Sequence, residues 1–171
     1  MSRFDECLTF VLKREGGFSN HPADKGGATN RGITQKVYDD YRETNQRSVR
    51  YIGEREVRDI YQANYWMPAK CGVLPVPVDL VVFDSAVHLG VSRSARLLQQ
   101  AVGVVADGNI GPITIDAVKE MKPVELAEDM IDLRRAFYNR IVDNNPSQKV
   151  FLKGWGNRLD ALEKAIGLES K

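Results

Sequence analysis

The chain has 171 residues, 43% of them hydrophobic, and its 24 basic and 23 acidic side chains leave a formal charge of +1. That is enough apolar material for one or two compact units with a sizeable core, and it excludes a disordered chain. The near cancellation of charge provides no basic field for a nucleic acid, and it predicts only modest attraction to an anionic cell wall.

In chain order, Phe4, Leu8 and Val11 recur at spacings of four and three, the stripe of a core-facing helix. Charges interrupt this amino-terminal segment, which therefore offers neither a secretory h-region nor a membrane span. Glu15 continues the stripe. A carboxylate on the apolar face, beside the negative end of the helix dipole, is expected to resist ionisation and to suit the role of an acid. Gly16 and Gly17 are expected to stop the helix and leave Glu15 at a rim.

Asp24 stands nine positions after Glu15, among Pro22, Gly26, Gly27 and Gly32, in a segment that reads as turns or a short hairpin near 16–33. Such a loop is solvated, so Asp24 is expected to stay ionised. Two carboxyl groups in different environments supply a proton donor and a negative partner, the inventory of glycoside hydrolysis. Thr29 follows in place to orient a water. The same residues also read as an ordinary helix end and an ordinary turn, and spacing alone leaves both readings open.

Thr34 caps a second helix carrying Val37, Tyr38 and Tyr41, and Val57, Ile60, Tyr61 and Tyr65 define a third that ends near Pro68. In residues 76–89, apolar side chains surround the whole circumference, which predicts a helix buried on most sides at the centre of the fold. Asp84 and His88, four apart on it, read first as an internal hydrogen-bond network and second as a cleft-facing pair. Leu97, Leu98, Ala101 and Val102 mark a fifth helix, and Pro112 opens a sixth. Leu126, Met130, Leu133, Phe137 and Ile141 give one stripe over 123–144, a helix of about 33 Å. Phe151, Trp155, Leu159, Leu162 and Ile166 supply a closing helix, with Trp155, between Gly154 and Gly156, read first as a core plug and second as a ring exposed to substrate. Cys7 and Cys71 read as reduced packing residues, with a disulfide as the alternative outside the cytoplasm.

The order Glu15, Gly16, Gly17, Asp24, Gly26, Gly27, Thr29, Asn30, Gly32, Ile33 and Thr34 resembles the opening motif of glycoside hydrolase family 108, the N-acetylmuramidases once called secretion activator proteins. The resemblance continues through Ile60, Tyr61, Tyr65 and Trp66 and through Phe83-Asp84-Ser85-Ala86-Val87. From about residue 92, Leu98-Gln99-Gln100-Ala101-Val102-Gly103, Asp107-Gly108, Ile110-Gly111-Pro112 and Thr114 resemble the peptidoglycan-binding region that accompanies this hydrolase. It implies a mainly α, lysozyme-like (α+β) fold of seven to eight helices, with a muramidase region at 1–91 and a binding-like region at 92–171, fused into one globule. The implied reaction is cleavage of the β-1,4 bond between N-acetylmuramic acid and N-acetylglucosamine, with an inverting course. Glu15 carries over as the catalytic acid, and Asp24 and Thr29 carry over by similarity to phage-type lysozymes. Asn30, Tyr65, Trp66 and His88 are the candidate substrate contacts, the two aromatic rings because pyranose faces stack on flat rings, with simple packing at the end of their helix an equal reading for both.

No cofactor and no metal are expected, and the partner is the glycan strand of peptidoglycan, bound by a monomer. Lacking an export signal, the protein is expected to be made in the cytoplasm and to reach the wall with the help of a protein such as a phage holin. Two other classes stay open. A metal-dependent wall peptidase would draw on His21, Asp24, Asp84 and His88, without the spacing of a zinc motif. A non-catalytic wall-binding or regulatory module is the third reading.

Overall fold

The computed structural model describes residues 1–22 and 26–167. Contacts divide the chain into two compact units, Met1–Trp66 and Met67–Lys171. Among the described residues there are eight α-helices and one two-stranded antiparallel sheet, a mainly α, lysozyme-like fold.

In the first unit, α1 (Arg3–Leu12) begins at a reciprocal cap: the Ser2 hydroxyl accepts from the Asp5 amide at 3.2 Å, and the Asp5 carboxylate accepts from the Ser2 amide at 3.3 Å. Its stripe of Phe4, Cys7, Leu8 and Val11 is buried. The helix ends before Glu15. Residues 13–15 continue as a tighter turn, in which the Arg14 amide donates to the Val11 carbonyl and the Glu15 amide to the Leu12 carbonyl. Gly16 and Gly17, expected to stop the helix, lie beyond its end at Leu12, and neither is left-handed.

Two short strands follow, β1 (Thr29–Asn30) and β2 (Ile33–Thr34), joined by Arg31 and Gly32 at φ 53° and 79°. Positive φ at both central residues is the two-residue turn whose twist matches the flanking strands. The Thr34 hydroxyl then accepts from the Val37 amide at 3.2 Å and starts α2 (Gln35–Arg42), as the sequence predicts. After a 3₁₀ turn at Val49–Tyr51 comes α3 (Glu54–Tyr61), which continues into a π-helical turn, Gln62–Trp66. Arg58 of α3 meets Asp5 of α1 at 2.7 Å, and this guanidinium, followed by the Ser2 hydroxyl, lowers the Asp5 carboxyl to about 2.

The second unit is built on α4 (Val78–Leu89), where every residue from Val78 to Ala86 is buried. Packed on it are α5 (Val91–Val102) and α7 (Pro123–Asn144), with α6 (Pro112–Lys119) against α5 and α8 (Leu152–Ala165) against α7. Pro112 occupies the first turn of α6, where its missing N–H costs nothing. The buried face of α7 is centred differently from the predicted stripe, on Leu126, Met130, Arg134 and Tyr138, while Leu133, Phe137 and Ile141 are half-buried beside it. The reason is a charge in the core. Arg134 is 0% exposed and donates to Asp84 at 2.7 Å and to Ser85 at 3.1 Å.

Cys7 and Cys71 are both buried. No described helix is long and apolar enough to cross a membrane.

Candidate active site

The Glu15 carboxyl lies in the first unit beside the tip of the hairpin. A side chain on Gly32 would place its Cβ 2.9 Å from Glu15 Oε2 and in collision with the Tyr61 hydroxyl. Gly32 therefore answers two demands at once, a left-handed backbone at φ 79° and a close approach of the turn to these two polar groups. The turn is fixed from both sides: the Arg31 amide donates to the Gly16 carbonyl at 2.9 Å, and the Tyr61 hydroxyl donates to the Arg31 carbonyl at 2.7 Å. Further up the hairpin, Ser19 and Thr29 exchange both backbone bonds at 2.8 Å. The end of α1, the hairpin and α3 thus converge on one carboxyl group, itself partly exposed.

Tyr65, in the π-helical turn, stands with its ring centroid 5.6 Å from that of Tyr61. Burial, then the negative charge of Glu15, raises its hydroxyl above the usual phenol range. The electrostatic coupling places Tyr65 in the same neighbourhood as the carboxyl. Thr29 and Asn30 belong to the hairpin. Thr29 is half-buried on β1, and the Asn30 amide donates to the Val49 and Arg50 carbonyls at 3.2 and 3.1 Å, tying β1 to the 3₁₀ turn. Asp24 lies outside the described residues.

Trp66 is only 8% exposed, with its ring 5.3 Å from that of Phe4, so its place is the core of the first unit. His88 belongs to the second unit, where Nδ1 is 2.6 Å from the Tyr138 hydroxyl and 3.1 Å from the Arg134 guanidinium. Burial, followed by the charges of Arg134 and Arg158, lowers its imidazole to about 4. On the other side of this network Asp84 meets Arg134 at 2.7 Å and Arg158 at 2.9 Å. Burial works to raise the Asp84 carboxyl, and the two guanidinium groups outweigh it and lower it. Asp84 and His88 are thus joined through Arg134 in an internal hydrogen-bond network. Among the described residues no group of three His, Cys, Asp or Glu side chains is arranged to hold a metal ion.

In the sequence Tyr61 stands on an apolar stripe and among the residues of the family resemblance, with no role of its own, and its hydroxyl proves to be the clamp on the turn. No local signal points to this, because the carbonyl it holds lies 30 residues away.

Residues 8–90 match the family model described as glycosyl hydrolase 108, and residues 93–160 match one described as a predicted peptidoglycan domain. Among solved structures, the one titled "Structure of Brucella abortus SagA" superposes with a TM-score of 0.81 at 32% identity, covering 95% of this chain and 92% of that one. No curated protein matches. Fold and matches together define a peptidoglycan-related glycosidase. The chain belongs to the glycosyl hydrolase 108 family and carries a peptidoglycan-binding region after its hydrolase region.

Proposed function

We propose that this protein is an N-acetylmuramidase, a lysozyme that hydrolyses the β-1,4 bond between N-acetylmuramic acid and N-acetylglucosamine with Glu15 as general acid. The observation that carries the reading is the Glu15 carboxyl held against the glycine of the hairpin turn, with Tyr61 and Tyr65 around it. The protonated carboxyl gives its proton to the glycosidic oxygen as the bond to the anomeric carbon breaks. Positive charge develops on the sugar ring, and a water oriented by Thr29 attacks from the opposite face while giving its proton to the Asp24 carboxylate, which inverts the anomeric configuration. Residues 92–171 serve as the wall-binding part of the chain, a role supported by the family match over 93–160.

The test is digestion of purified, unmodified peptidoglycan by the intact protein and by Glu15→Gln, with mass analysis of borohydride-reduced products. Muramitol ends made by the intact protein alone are expected. Equal cleavage by both would assign the acid to another residue, and cleavage by neither would favour the non-catalytic binding module.

A further inference from the structure

The amino-terminal part of α8 carries a set of features that its packing does not explain. Tyr138, Trp155 and Phe151 form a continuous stack, with centroids 4.8 Å apart between Tyr138 and Trp155 and 5.8 Å between Trp155 and Phe151, at interplanar angles of 22° and 26°. The stack begins in the core, where Tyr138 is 1% exposed, and ends at the surface, where Phe151 is 52% exposed. Trp155 is half-buried between them.

Two glycines flank the tryptophan. A Cβ on Gly154 or Gly156 would meet no atom within 4 Å, so neither is required by a neighbour in the fold. Glycine is a poor helix residue, and here it leaves bare backbone beside an aromatic ladder, as suits a site where another molecule approaches closely. Next to the ladder, a cavity of about 150 Å³ opens between α7 and α8, lined by Arg135, Tyr138, Asn139, Leu152, Gly156 and Leu159. That volume is below the roughly 300–1,000 Å³ of pockets that enclose a whole ligand, and it suits a single substituent.

We propose that this shelf is a saccharide subsite, in which the apolar face of an N-acetylated sugar of the glycan strand lies on Phe151 and the edge of Trp155, with its acetamido group directed to the cavity beside Asn139. Flat rings leading outward from a rigid core suit the apolar face of a pyranose, and a small, mainly apolar side pocket with Asn139 and Arg135 in its wall suits the methyl and amide of an acetamido arm. The proposal rests on the peptidoglycan-binding reading of the region that contains these residues, and it names the part of the polymer that the region grips.

The test uses the full chain carrying Glu15→Gln, so that the polymer persists during measurement. Co-sedimentation with purified sacculi, and with glycan strands stripped of their peptides, is compared before and after Phe151→Ala and, separately, Gly156→Leu. The second variant fills open space in a helix, so a loss of binding with an unchanged or raised melting temperature reflects a blocked site. Binding to both polymers is expected to weaken about tenfold, the scale of one lost ring contact. A second readout uses Trp66→Phe in the same background, leaving Trp155 as the sole tryptophan. Its emission is expected to shift saturably on titration with peptide-free glycan oligosaccharides. Binding within twofold of the parent in both shelf variants would overturn the subsite and leave the wall-binding reading in place. A loss confined to peptide-bearing sacculi would overturn it in favour of the stem peptide, and a parent chain that binds neither polymer would overturn both readings.

Discussion

At the scale of single residues, the candidate site depends on an atom that is missing. Gly32→Ala would set a methyl group against Glu15 and Tyr61 and force a side chain into φ 79°. Because small misplacements of catalytic groups cost about 10²-fold, turnover is expected to fall by that order while the helical signal stays intact, a split that steady-state kinetics and circular dichroism together would reveal. Arg134 poses the opposite problem, a buried charge with good partners. Arg134→Leu strands part of Asp84 and is expected to cost about 3–5 kcal/mol, measured by denaturant unfolding. His88 gives the network a pH dependence. Its folded value of about 4 lies below the 6.5 of the free group, so between these values the unfolded chain binds the extra proton. This contribution is therefore complete above pH 6.5 and is lost as pH falls towards 4, on the order of 3 kcal/mol in total. Stability curves of the parent and of His88→Gln over that window would show whether the slope belongs to His88.

At the scale of elements, local chemistry was legible where it acts locally. The Thr34 cap, Pro112 in the first turn of α6 and the all-round apolar character of α4 each announce an element without help from the rest of the chain. What was not legible depends on partners far away in sequence. Arg31 is an unusual residue for a left-handed turn position, and only its bonds to Gly16 and Tyr61 account for it. Arg134 stands outside the apolar stripe read for α7, and its burial depends on Asp84 and Ser85, some 50 positions earlier. The run Val57, Ile60, Tyr61, Tyr65 reads as a single helix, and the π-helical turn that begins at Gln62 cannot be inferred from that spacing. Within the candidate site, the hairpin was legible from the glycine pattern that follows Glu15, whereas the hold of the Tyr61 hydroxyl on its turn was not. Helix α8 offers its own check. With open space above both glycines, Gly154→Ala combined with Gly156→Ala is expected to raise stability by about 1–2 kcal/mol, read as a higher denaturant midpoint.

At the scale of the whole molecule, the family matches divide the chain near residues 90–93, while packing groups α4 with the helices that follow it. Helix α4 is buried against α5 and α7, so a fragment of residues 92–171 would expose the apolar faces that cover it. Such a fragment is expected to lack cooperative thermal unfolding, which calorimetry would establish. The first unit suggests a different vulnerability. Its sheet has two residues per strand, far too little to persist by itself, and it is held by backbone bonds to Ser19 and Gly16 and by the side chains of Tyr61 and Asn30. Beyond these bonds the described hairpin buries Ile33, far less apolar surface than the helices, so its opening free energy is expected to be smaller than that of global unfolding. Heat is therefore expected to inactivate the enzyme reversibly some degrees below the temperature at which its helices melt, and the amides of Thr29 and Arg31 would exchange with solvent deuterium well before those of α4.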